Sequence, residues 1–114
     1  MKKTFFLPAA AIRPDLAPGH GSCMATDLIT VHGNRVGYMY REKPDHEIDS
    51  GWRFFAGSES QEYVDDPANL EIYDVNTLAN YDPDIIPFLD SPHGTAFERH
   101  AESGEFVAVA FPET

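Results

Sequence analysis

Nine prolines fall among the 114 residues and limit the length of every regular element the chain can form. Proline removes a backbone donor and clashes with the preceding helical turn, so each one ends or displaces a helix or a central strand. Residues 8 to 22 hold Pro8, Pro14 and Pro18 together with Gly19 and Gly21, and read as a loop with at most one helical turn. Pro44 lies in a charged loop running from Arg41 to Ser50. Pro67 stops a helix by Asp66, while Pro83 and Pro87 divide the stretch after Asp82 and leave Ile85-Ile86 and Phe88-Leu89 as apolar anchors.

Between these breaks the texture is mostly strand-like. Leu28-Ile29-Thr30-Val31 and Val36-Gly37-Tyr38-Met39-Tyr40 read as a hairpin turned at Gly33-Asn34, a pair suited to positive φ. Val36, Tyr38 and Tyr40 then share one face, with Gly37, Met39 and Arg41 on the other. Trp52-Arg53-Phe54-Phe55 is a third strand closed by Gly57. Ser58, with Gln61 three residues on, has the spacing of a capping box for a helix through Glu62-Tyr63-Val64. Asp74 opens a second short helix to Asn80. Thr95 to Arg99 and Glu105 to Phe111 form a closing hairpin around Ser103-Gly104, and Phe106 to Phe111, apolar on both faces, is expected in the middle of the sheet. The expected fold is α+β, one domain over residues 1–114, with a mainly antiparallel sheet and short helices between the early and late strands.

The amino terminus imitates a leader: a basic head, Met1-Lys2-Lys3, then the apolar stretch Thr4 to Ile12. Pro8 interrupts that stretch and Arg13 ends it, so it reads as a first strand. No apolar run approaches the roughly 20 residues of a membrane span, and no membrane role is expected.

Hydrophobic residues at 42% and aromatics at 12% exclude a disordered chain. Nineteen acids against eight Lys and Arg give a formal charge of −11, which repels phosphate backbones and excludes general nucleic-acid binding. Such a surface favours a basic protein partner, or simply keeps the chain soluble. Cys23 is the single cysteine, so no internal disulfide forms, and a reducing, cytoplasmic setting is expected.

Catalytic signatures are missing: there is no phosphate loop, no nucleophile elbow and no zinc helix. Asp45-His46-Glu47-Ile48-Asp49 opens like a calcium loop but carries Ser50 where glycine belongs and Ala56 where the bidentate glutamate belongs. His20 and Cys23 have the spacing of half a metal site or of a thiol with its base, yet Cys23 leads into an apolar strand, where cysteine is usually a buried hydrophobe. We expect no cofactor, no metal and no catalysis. Asp49-Ser50-Gly51-Trp52-Arg53 is the unusual segment, since it sets the only tryptophan beside an arginine and among acids. Trp and Arg dominate interface hot spots. Alternatively Trp52 anchors the core and Arg53 pairs with Asp49 or Glu42. An exposed cluster among Tyr38, Tyr40, Tyr63, Tyr73 and Tyr81 would favour binding.

Several ordered strings carry a family resemblance. They are Cys23-Met24-Ala25-Thr26-Asp27, Met39-Tyr40-Arg41-Glu42-Lys43-Pro44, Asp49-Ser50-Gly51-Trp52-Arg53-Phe54, Gly57-Ser58-Glu59-Ser60, Asn76-Thr77-Leu78-Ala79-Asn80, Asp82-Pro83-Asp84-Ile85 and Pro92-His93-Gly94-Thr95-Ala96-Phe97-Glu98-Arg99. Over about residues 20 to 100 the chain resembles the small bacterial domain-of-unknown-function family 2185, whose members are also described as immunity proteins of polymorphic toxin systems. The resemblance implies a non-enzymatic intracellular binding protein that neutralises a toxin by occlusion. On that reading Arg41, Trp52 and Arg53 are anchors, Asp45, Glu47 and Asp49 are complementary acids, and the partner is basic, as a nuclease toxin is. A different class remains open: a ligand-binding or enzymatic pocket around Trp52, Arg53 and Tyr40. A buried Trp52 would remove the principal residue from both.

Overall fold

In the computed structural model, which describes residues 3–112, the sheet is assembled around one strand, Asp49–Phe55, all seven residues of which are buried. This is β3 in chain order. On one side it pairs in parallel with β1, Ser22–Thr26, and on the other antiparallel with β2, Tyr38–Arg41. Beyond these lie β4, Leu70–Asp74, and the hairpin of β5, Thr95–Arg99, with β6, Phe106–Val109. The order is β4-β1-β3-β2-β5-β6, antiparallel everywhere except between β1 and β3. With three short helices between β1 and β5, the α+β architecture matches the sequence expectation.

Strand register divides the side chains into two sets, because directly paired residues point to the same face. Arg41 pairs with Trp52, and Met39 pairs with both Phe54 and Phe97, so these face together. Against them pack α1, Asp27–Thr30, and α3, Val75–Tyr81, with the 3-10 segment Pro83–Phe88. Ile29, Leu78, Ile85 and Leu89 bring the core from that layer, and Trp52 is fully buried among them. Its indole Nε1 donates to the Leu89 carbonyl at 3.1 Å, so the ring both fills the core and satisfies its polar atom. Asp82 pins the same layer: it is buried, caps the 3-10 segment, and accepts from the amides of Asp84 and Val36 and from Arg99 Nη2.

Four sequence expectations are corrected. Leu28 to Val31 is not a hairpin strand, because α1 occupies Asp27–Thr30. Gly33 does take a positive φ of 80°, but it ends a helix: Gly33 N–H donates to Ile29 O, an αL closure, and Asn34 N–H donates to Leu28 O. The residues expected as a hairpin turn serve as a helix stop because only Gly33, and not Asn34, adopts positive φ. The stretch Thr4 to Ile12 forms no strand; it holds a 3-10 turn at Ala9–Ala11 after Pro8, with Met1 and Lys2 outside the described residues. The second helix, α2, spans Gln61–Asp65 and is capped by Ser60 rather than Ser58, with Ser60 accepting from Tyr63 N–H; Glu59 turns back to the amides of Ala56 and Gly57. Finally β6 is an edge strand, with Val107 44% exposed. The expected helix from Asp74 is present with its Asp cap, and β4, unassigned from the sequence, completes the far edge.

Truncating Trp52 removes the largest buried side chain and leaves the Leu89 carbonyl with only the longer bond from Arg41 Nη1 at 3.4 Å. Trp52→Ala is expected to cost about 3–5 kcal/mol in urea unfolding, enough to unfold much of a small domain, whereas Ile48→Ala at an exposed site should change stability by less than about 0.5 kcal/mol.

Candidate functional site

On the opposite face of the sheet, Arg53 is the organising charge. Its guanidinium meets Asp49 in a two-pronged pair, Nη1 to Oδ1 at 2.9 Å and Nη2 to Oδ2 at 2.8 Å, while Nε donates to Glu42 at 2.6 Å and Nη1 also reaches the Trp52 carbonyl at 3.0 Å. Both Arg53 and Asp49 are buried. Asp49 accepts further bonds from the amides of Asp45 and Gly51. The arginine contact, helped by those amides, holds the Asp49 carboxyl far below the usual range against the opposing effect of burial. Arg53 is raised in turn, first by its bond to Asp49. Together they tie the loop between β2 and β3 onto the sheet. Gly51 permits the close approach: at φ 88° it sits where a Cβ would meet the Glu42 carbonyl oxygen at 2.1 Å.

The candidate residues divide between the two faces. Asp45, Asp49 and Arg53 come together, with Asp45 Oδ2 3.9 Å from Nη2, and Glu47 lies exposed in the same loop. Glu42 joins them, as the pairing of Arg53 with a nearby acid anticipated. Trp52 and Arg41 lie on the helix-covered face. There Arg41 donates to the carbonyls of Ser50 and Ser91 at 2.8 Å and sits 5.9 Å from the Trp52 ring, a brace within the fold. Tyr40 pairs with Arg53 in register, so Tyr40 and Trp52 line no common pocket. Beside Arg53 is a dent of about 40 Å³ walled by Met24, Asp45, His46 and Ile72, well below the few hundred Å³ of a small-molecule site. Burial pushes the Cys23 thiol above its ordinary range, leaving a protonated core side chain.

Sequence reading missed how much of this face is left uncovered. Tyr38 and Phe55 pair across β2 and β3, and the rings of Tyr38, Tyr40 and Phe55 lie 5.6–5.9 Å apart, with Phe111 edge-on to Tyr40 at 5.6 Å. Ala96 pairs with both Tyr40 and Val109, and its small side chain leaves room for that last contact. Tyr38, Tyr40 and Phe111 remain half-exposed. Burial raises both tyrosine hydroxyls, and Glu98 beside Tyr38 and Glu42 beside Tyr40 act in the same direction. Alternation in β2 was the available signal; without a known partner strand, it could not say which face the helices cover. A separate cleft of about 490 Å³ opens between the 3-10 segment and β6, with Phe88 and Phe106 in its lining and Asp84 and Glu105 among its acids.

The uncovered face of the sheet is thus aromatic at its centre and acidic at its margin. A family model, the Immunity protein Imm33 domain, matches residues 23–110. The chain belongs to this immunity-protein family. The Imm33 match takes in all six strands apart from Ser22, the first residue of β1, together with the whole Arg53 cluster and the aromatic face except Phe111. No curated protein and no solved structure gives a significant match.

The Imm33 domain of this chain should therefore lose stability in acid through a defined pair. Because the folded Asp49 carboxyl titrates below its ordinary value of 3.8, its contribution is full above about pH 5 and declines as pH falls below about 4. Asp49→Asn should cost about 3 kcal/mol at pH 7, because buried Arg53 then keeps only the partly exposed Glu42 as a close counter-charge. It should also flatten the acid limb of stability against pH, read by chemical unfolding from pH 3 to 7.

Proposed function

We propose that this protein is a non-enzymatic immunity protein that binds a cognate toxin in the cytoplasm and blocks its active site by occlusion. The observation that carries this is the Immunity protein Imm33 domain over residues 23–110. Two physical features support binding as the means. The face around Arg53 offers a shallow, chemically mixed surface instead of an enclosed site, and Asp45, Glu47 and Ile48 project from the loop beside it. The formal charge of −11 would speed encounter with a basic toxin and suppress approach to other acidic proteins. Arg53 and Asp49 serve this role indirectly, by holding the loop that carries the exposed acids.

The test is capture from native-host lysate with the tagged protein at about 0.05 M and about 0.5 M salt, where screening lengths are about 14 Å and about 4 Å. One stoichiometric protein should be retained, more strongly at low salt. Produced alone it should arrest growth of a heterologous host, and co-production of this chain should restore growth. Asp45→Asn combined with Glu47→Gln should weaken retention without changing the unfolding midpoint. A retained partner that is harmless when produced alone, or a toxic one that this chain does not relieve, overturns the proposal.

A further inference from the structure

The uncovered face has a composition that selects one kind of contact. At its centre are the half-exposed rings of Tyr38, Tyr40 and Phe111, arranged around buried Phe55. Each tyrosine has a carboxylate at its side: Glu98 is the register partner of Tyr38, and Glu42 is close enough to Tyr40 to act on its hydroxyl. Glu98 pairs with no cation among the described residues, and Glu42 commits one oxygen to Arg53 while its side chain stays 43% exposed. Asp45, 84% exposed, and Glu47 add further charge from the adjoining loop, where Lys43 is the one Lys or Arg and His46 lies between the two acids. The single arginine on this face is buried and already matched by two acids. Aromatic rings bordered by under-neutralised carboxylates suit a flat cation that can stack on a ring and be held at its edge by a carboxylate. Guanidinium meets that description better than ammonium, being planar and weakly hydrated.

We infer that this face of the sheet is the docking surface for a basic partner protein, and that it takes arginine side chains laid on Tyr38 and Tyr40 and paired with Glu98 and Glu42. The inference rests on the immunity reading for the partner's being a toxin, but the recognition chemistry can be tested without that partner. Burial of Phe55 beneath the tyrosines gives the contact a rigid floor, so little side-chain freedom is lost on docking.

The experiment is an NMR titration of the full chain at about 0.02 M salt with a hexa-arginine peptide, and in parallel with hexa-citrulline, which keeps the shape and lacks the charge. Shifts should concentrate on Tyr38, Tyr40, Glu98 and Phe111, vanish at about 0.5 M salt, and be absent with citrulline. Tyr38→Leu and Tyr40→Leu should each weaken peptide binding about two- to fivefold, while Tyr40→Phe, which keeps the ring, should not. Glu98→Gln, at an exposed position, provides a variant whose fold is not at risk and should also weaken binding. Shifts spread evenly over the acidic surface, or gathered in the cleft of Phe88, Phe106, Asp84 and Glu105, overturn the inference. So do shifts of the tyrosine face that grow with protein concentration in the absence of peptide, since a second copy would then be the occupant. Focused shifts with a retained partner that is harmless uphold this surface and overturn the toxin-occlusion reading; a relieved toxin with peptide shifts elsewhere does the reverse.

Discussion

The Arg53–Asp49 pair is the interaction on which both halves of the molecule depend. It sits on the central strand, buried on the face that no helix covers, where an unmatched charge would be expensive. The fold meets that cost with geometry. Asp49 takes two guanidinium bonds and two backbone amides, and Glu42 takes Nε. Those bonds fix the loop from Glu42 to Ile48 on the sheet and thereby set where its exposed acids stand. Core and surface are thus joined at one side chain, and a buried salt bridge acts mainly to specify position.

The sheet is unequal on its two sides. One face is closed by α1, α3 and the 3-10 segment, locked through Trp52 and Asp82. The other protects itself only in part: Phe55 is covered by Tyr38 and Tyr40, and Ala96 lies beneath the Tyr40–Phe111 contact, while the tyrosines remain half-exposed. Antiparallel sheets commonly leave one face to water, but that face is then usually polar. Here its centre is aromatic and its margin acidic.

Much of this was legible in the residues, and what was not has a physical cause. Proline positions foretold the short elements, and Asp74 marked its helix correctly. The sequence paired Arg53 with an acid, and Arg53 engages both of the acids considered. Gly33-Asn34 misled because a hairpin turn and a helix stop both call for a glycine at positive φ; they part at Asn34, whose φ stays negative, and in the carbonyls that the two amides meet. Phe106 to Phe111 read as a central strand because both its faces are apolar; at the edge, the second apolar row continues the uncovered face. Trp52 and Arg53 are neighbours in sequence and so point to opposite sides of a strand, which splits a segment that looked like one site.

The parallel pairing of β1 with β3 bears on the order in which the molecule comes into being. β1 emerges first, yet its two neighbours, β3 and β4, end at Phe55 and Asp74. No local hairpin can shelter it meanwhile, so the first strand waits until Phe55 before one edge is satisfied and until Asp74 before both are. β2 likewise lacks its second neighbour until Arg99 has been made. Pairing of the sheet during synthesis is therefore postponed until β5 has been made, so most of its strands find their partners late and together.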